Sequence, residues 1–121
     1  MRKVKFKAVG IGFRGRRYSA FAQGKYSLEF PKGVIVQGVK GTLGVSVFKT
    51  RKQAELFQED HSFLEIIRVR PIGRGRNVKL ICSDPSEYNL FIFYREEKLT
   101  TVIESRVPLG TIFYPAVEVL D

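Results

Sequence analysis

The sequence predicts an α+β fold, a mostly antiparallel, strongly curved β-sheet of about six to nine strands with one main helix packed on it. Three observations carry this. β-Branched and aromatic residues gather in strand-length runs punctuated by glycine and proline, and residues 50–59 alone carry a full set of helix-start signals. The third is length: 121 residues suffice for a single domain, 1–121, with its own core and no room for a linker.

Residues 4–9, VKFKAV, alternate apolar and basic side chains, so Val4, Phe6 and Ala8 are expected to face the core and Lys5 and Lys7 to face water. Gly10 to Gly15 then matches the G-x-G-x-x-G of dinucleotide folds, with Glu29 about where such folds place the ribose-binding acid. Only RRYSAFAQ separates Gly15 from Gly24, too little for the following helix, and the chain lacks alternating strand and helix periods. The stretch therefore reads as a basic, glycine-rich loop, and no cofactor is expected. Tyr26, Leu28 and Phe30 predict a second strand that ends at the turn Pro31-Lys32-Gly33.

The runs Val34 to Val39 and Leu43 to Phe48 flank a short glycine-containing turn, which predicts two adjacent antiparallel strands. Thr50 and Gln53 have capping-box spacing, so a helix should start at Thr50 and run to about Glu59. Ala54 and Phe57 would pack on the sheet, leaving Arg51, Lys52 and Glu55 in water. KGTLGVSVF at residues 40–48, with the helix after it, resembles the third strand and second helix of RNA-recognition motifs. Thr42, Leu43 and Val45 stand where those motifs carry base-stacking aromatics, so the likeness implies no shared binding platform.

Beyond a polar break at Asp60 and His61, Phe63 to Arg70 reads as a strand with Arg68 and Arg70 on one face. Ile72 to Asn77 reads as a hairpin loop returning through Val78 to Cys82. Asp84 to Glu87 has the signals of a turn or helix start, and residues 84–98 fit either a helix or, preferably, a strand from Tyr88 to Tyr94. Arg95 to Lys98 would close a hairpin onto Leu99 to Ile103, Val107 to Thr111 is a turn, and Ile112 to Leu120 is a last strand. Pro115 cannot donate to a ladder, which demands an edge or a bulge there.

The net charge of +9 is uneven: residues 1–79 carry 18 basic and 5 acidic groups, residues 80–121 carry 3 and 7. Such an excess concentrates polyanions, so the leading expectation is a small basic nucleic-acid or other polyanion binding module. Two arginine groups would carry it. Arg14, Arg16 and Arg17 lie beside Phe13 and Tyr18, and Arg68, Arg70, Arg74, Arg76 and Lys79 follow one another without an acid between them. A solubilising basic surface with no partner explains the same composition.

Two other classes remain in play: a small enzyme on a phosphorylated or nucleotide substrate, with Tyr18, Ser19, His61 or Glu104 as polar groups, and a subunit docking an acidic protein partner. Against the enzyme, no Ser/His/Asp set, Walker sequence, paired-carboxylate site or metal-ligand cluster is found, and no catalytic residue is assigned. The single Cys82 and the strand-sized apolar runs predict a cytoplasmic protein without a membrane span.

Overall fold

The β-branched runs do form strands in the computed structural model, whose described residues are 3–20, 27–40, 42–77, 80–83, 92–93 and 103–121. In chain order these are β1 (Lys5–Ile11), β2 (Arg17–Ser19), β3 (Ile35–Gln37), β4 (Val45–Phe48), the helix α1 (Arg51–Glu59) and β5 (Leu64–Ile72). There follow β6 (Leu80–Ser83), β7 (Ile92–Phe93), β8 (Ile103–Arg106), β9 (Thr111–Tyr114) and β10 (Ala116–Val119). Seven strands make an antiparallel sheet of order β3-β10-β5-β1-β4-β9, with β2 paired to β1, and three make a second sheet, β7-β6-β8. With one helix packed on an antiparallel sheet, the fold class is the α+β of the sequence reading.

Partner choice departs from that reading in several places. β3 and β4 do not form a hairpin; β3 pairs only with β10, whereas β4 lies between β1 and β9. Val36 of β3 still shares a core with Val45 and Val47, so the two runs meet through side chains and not through a ladder. Nor do residues 72–77 turn a hairpin, because β5 belongs to the large sheet and β6 to the small one. They are a crossing between sheets. Residues 27–30 form a single bridge, Tyr18 to Glu29, where a strand was expected, and β2 was not anticipated. The expected strand at 88–94 is described only at Ile92–Phe93, and the rest of 84–102 lies outside the described residues.

Pro115 behaves as its missing N–H requires. The expected last strand is cut there into β9, which pairs with β4, and β10, which pairs with β5 and β3. Gly38 donates its N–H to the Pro115 carbonyl at 2.8 Å, so the end of β3 is held at the cut.

The large sheet is covered on both faces. On one lies a core that includes Val9, Phe30, Val47, Ile67, Val69 and Val117; on the other α1 seats Ala54 against Ala8, Phe48 and Leu64. Double cover corrects the reading of β1. Ala8 and Phe6 do face the helix, but Lys5 and Lys7 are only 7% and 8% exposed and share the main-core side with Val9. Alternation assigns a strand's faces only when one of them is wet.

The helix starts where its cap places it. The Gln53 N–H donates to Thr50 Oγ1 and the Thr50 N–H to Gln53 Oε1, each at 3.2 Å. Arg51, Lys52 and Glu55 are exposed and Phe57 is half-buried.

Candidate anion-binding groove

The structure puts the tips of the two arginine groups at opposite ends of β5, while Arg17 and Arg68 meet at Asp121. Gly10 pairs with Leu64 at one end of β5, and residues 12–16 continue outward from there. Residues 73–76 leave the opposite end, after Ile72. Between Leu64 and Ile72 a strand rises about 3.3 Å per residue, so the two tips, around Arg14 and around Arg74, stand roughly 27 Å apart. One compact site holding all of these arginines is excluded by that length.

Four of the expected phosphate contacts are engaged within the fold. Arg68 clasps the Asp121 carboxylate, Nη2 to Oδ1 at 2.7 Å and Nε to Oδ1 at 3.0 Å. Those hydrogen bonds hold the Asp121 carboxyl below its ordinary pKa and the guanidinium above its own. Arg70 meets Glu118 across the β5–β10 ladder at 2.7 Å, and its Nε is buried without a hydrogen bond. Arg17 donates to the Asp121 backbone carbonyl at 2.6 Å. Arg16 is held by the Tyr18 hydroxyl and by Glu29, 4.0 Å away, both raising its pKa. Tyr18 is half-buried, with its ring against Gly12: a Cβ built there would come within 2.8 Å of the ring. Arg14 is exposed and stacks on Phe13. Lys79 lies outside the described residues.

Arg74 and Arg76 lie elsewhere, on the crossing that follows β5. They line a groove of about 220 Å³, together with Lys40, Thr42, Phe113 and Pro115 among others. Three loops build it. The Arg76 backbone exchanges two hydrogen bonds with Phe113, at 2.8 and 3.0 Å, which pins one wall to β9. The opposite wall is the turn after Val39, where the Thr42 N–H and hydroxyl both donate to the Val39 carbonyl, at 3.2 and 2.6 Å, and Lys40 is left exposed at the apex. The Gly44 N–H in turn donates to Thr42 Oγ1 at 3.2 Å, so the hydroxyl is consumed in holding the loop. The Pro115 cut closes the end.

Among the described residues the groove therefore gathers three basic side chains and no carboxylate. Like charges collected at one concavity repel one another and are relieved by an anion, to which arginine adds bidentate hydrogen bonding. Lys40 was missed in the sequence because it lies far from Arg74 along the chain. Its one local signal is its place in a glycine-containing turn.

The polar groups considered for catalysis are dispersed. Ser19 Oγ accepts the Leu28 N–H at 2.9 Å, and the His61 ring stacks on Phe57 with Nδ1 3.0 Å from the Phe57 carbonyl. Neither residue lines the groove, and the Glu104 side chain lies outside the described structure. Among the described residues no group of three or more His, Cys, Asp or Glu could hold a metal, and no helix is long and apolar enough to cross a membrane. A different polar pair is internal: Lys7 donates from Nζ to Ser46 Oγ at 3.0 Å with the Phe30 ring centroid 5.5 Å away, and burial lowers its pKa from 10.5 to about 8. No protein family, curated protein or solved structure matches this chain.

Proposed function

We propose that this protein is a small polyanion-binding module, with nucleic acid the class of partner that its charge suits best, and that the backbone phosphates sit in the groove of Lys40, Arg74 and Arg76. The convergence of those three cations on one concavity carries the reading. The other basic groups support it less, since Arg16, Arg68 and Arg70 already face carboxylates. An enzyme on a phosphorylated substrate would need a proton-transfer group at the anion, and among the described residues the groove lining offers no histidine or carboxylate.

The test is the salt dependence of binding to a random-sequence single-stranded oligonucleotide. Each phosphate contact removed should lower the magnitude of the salt slope by about 0.7, so Arg74→Ala/Arg76→Ala should lower it by roughly 1.4 whatever the base sequence. Both residues lie on an exposed crossing, and thermal unfolding of the double variant checks that it still folds. Unchanged affinity and slope in a folded double variant would remove the groove from the site.

A further inference from the structure

Phe13 is the most solvent-exposed of the described large apolar side chains, at 81%, and it sits at the tip of the β1–β2 connection. The tip is ordered by its own backbone: the Gly12 N–H donates to the Arg16 carbonyl at 2.6 Å and the Gly15 N–H to the Gly12 carbonyl at 3.2 Å. Within this frame Arg14 has φ 59° and ψ 28°, the left-handed conformation that glycine adopts freely and arginine does not. It places the guanidinium carbon 5.3 Å from the Phe13 ring centroid. A strained arginine thus backs an aromatic ring that nothing in the described fold covers. The tip is cationic, so its complement is anionic; the ring offers a flat apolar face, so the complement is also planar.

We propose that Phe13, backed by Arg14, is a stacking platform for one unpaired base, and that the partner is single-stranded nucleic acid spanning from this tip to the groove at the far end of β5. The proposal rests on the groove reading for its second contact. Phosphates held by Lys40, Arg74 and Arg76 fix the backbone without regard to base, and the ring adds what other polyanions lack, a partner for a π face. The two ends lie roughly 27 Å apart, so a strand too short to bridge that distance reaches one end only. A lone ring flanked by Gly12 and Arg14 suits a base better than a lipid surface, which rewards a broader apolar face.

The experiment compares the protein with its Phe13→Ala, Phe13→Tyr and Arg74→Ala/Arg76→Ala variants. The ligands are oligothymidylates of about four and about sixteen nucleotides, an abasic phosphodiester of the longer length, and anionic phospholipid vesicles. Phe13→Ala should weaken the long oligothymidylate roughly 5- to 150-fold, the loss of one base stack, with Phe13→Tyr near wild type and the short and abasic strands unaffected. An unchanged long-strand affinity, an equal loss on the abasic strand, or Phe13-dependent binding to vesicles would overturn the platform. If Arg74→Ala/Arg76→Ala binds every strand as wild type does, the groove reading fails instead, whatever Phe13 does.

Discussion

Burying an ammonium group without a carboxylate beside it costs free energy, and Lys7 bears that cost in the main core. Desolvation sets its pKa near 8, against 10.5 in the unfolded chain. Between those values the unfolded state holds a proton that the native state has released, so this residue makes stability rise with pH across that window. At neutral pH the native lysine is still charged and the cost is present in full. Lys7→Met, which keeps the chain length, should therefore stabilise the protein at pH 7 by roughly 3 kcal/mol, and the gain should shrink toward nothing by about pH 10.5. Denaturant unfolding of both proteins at several pH values measures it. A variant less stable than wild type at pH 7 would show the Ser46 hydrogen bond outweighing desolvation. Asp121 runs the other way. Its carboxyl is held low by Arg68, so the stability it contributes is present at neutral pH and lost as pH falls through its depressed pKa. Asp121→Ala should be less stable than wild type at pH 7 and indistinguishable from it in strong acid.

At the scale of elements, the helix start and the turn before β9 form one structure. The Lys49 N–H donates to the Gly110 carbonyl at 2.9 Å, and Gly110, at φ 85°, lies under the Gln53 amide. Thr50→Ala removes half of the capping box and should cost about 1 kcal/mol, read from the denaturation midpoint. Gly110→Ala should cost more, because a Cβ there is both strained by the positive φ and in collision with the Gln53 side chain. If Gly110→Ala proves milder than Thr50→Ala, the turn does not brace the cap. The cap was legible in sequence because its two residues are three apart. The turn's role was not, because nothing in the spacing of Thr50 and Gly110 brings them together.

At the scale of the whole molecule, the groove exists because β9 and β10 part at Pro115 beside Gly38 and Gly44. Gly44 has φ 105°, and a Cβ on it would strike the Tyr114 backbone carbonyl, which no rotamer can relieve. Gly44→Ala should therefore destabilise the fold by about 3 kcal/mol or more and weaken oligonucleotide binding along with it. Thermal unfolding followed by binding of the refolded variant checks both. Binding lost while stability is kept would mean that the loop shapes the groove without closing the sheet.

What the sequence determined by itself is local: strand runs from β-branching, the helix at residues 51–59 from its capping box, the break at Pro115 from its missing N–H, and the excess of positive charge. Tertiary structure alone decided which strands pair, because a strand's ladder groups are the same whatever its side chains, and β3 could satisfy them with β10 as well as with β4. It also decided which cations meet carboxylates and which converge. Arg68 and Arg70 look like a basic stripe until Asp121 and Glu118, some fifty positions later in the chain, are folded against them. Lys40 joins Arg74 and Arg76 by the reverse process. Charge is additive along a sequence, but pairing and convergence depend on distance in space, and only the fold sets those distances.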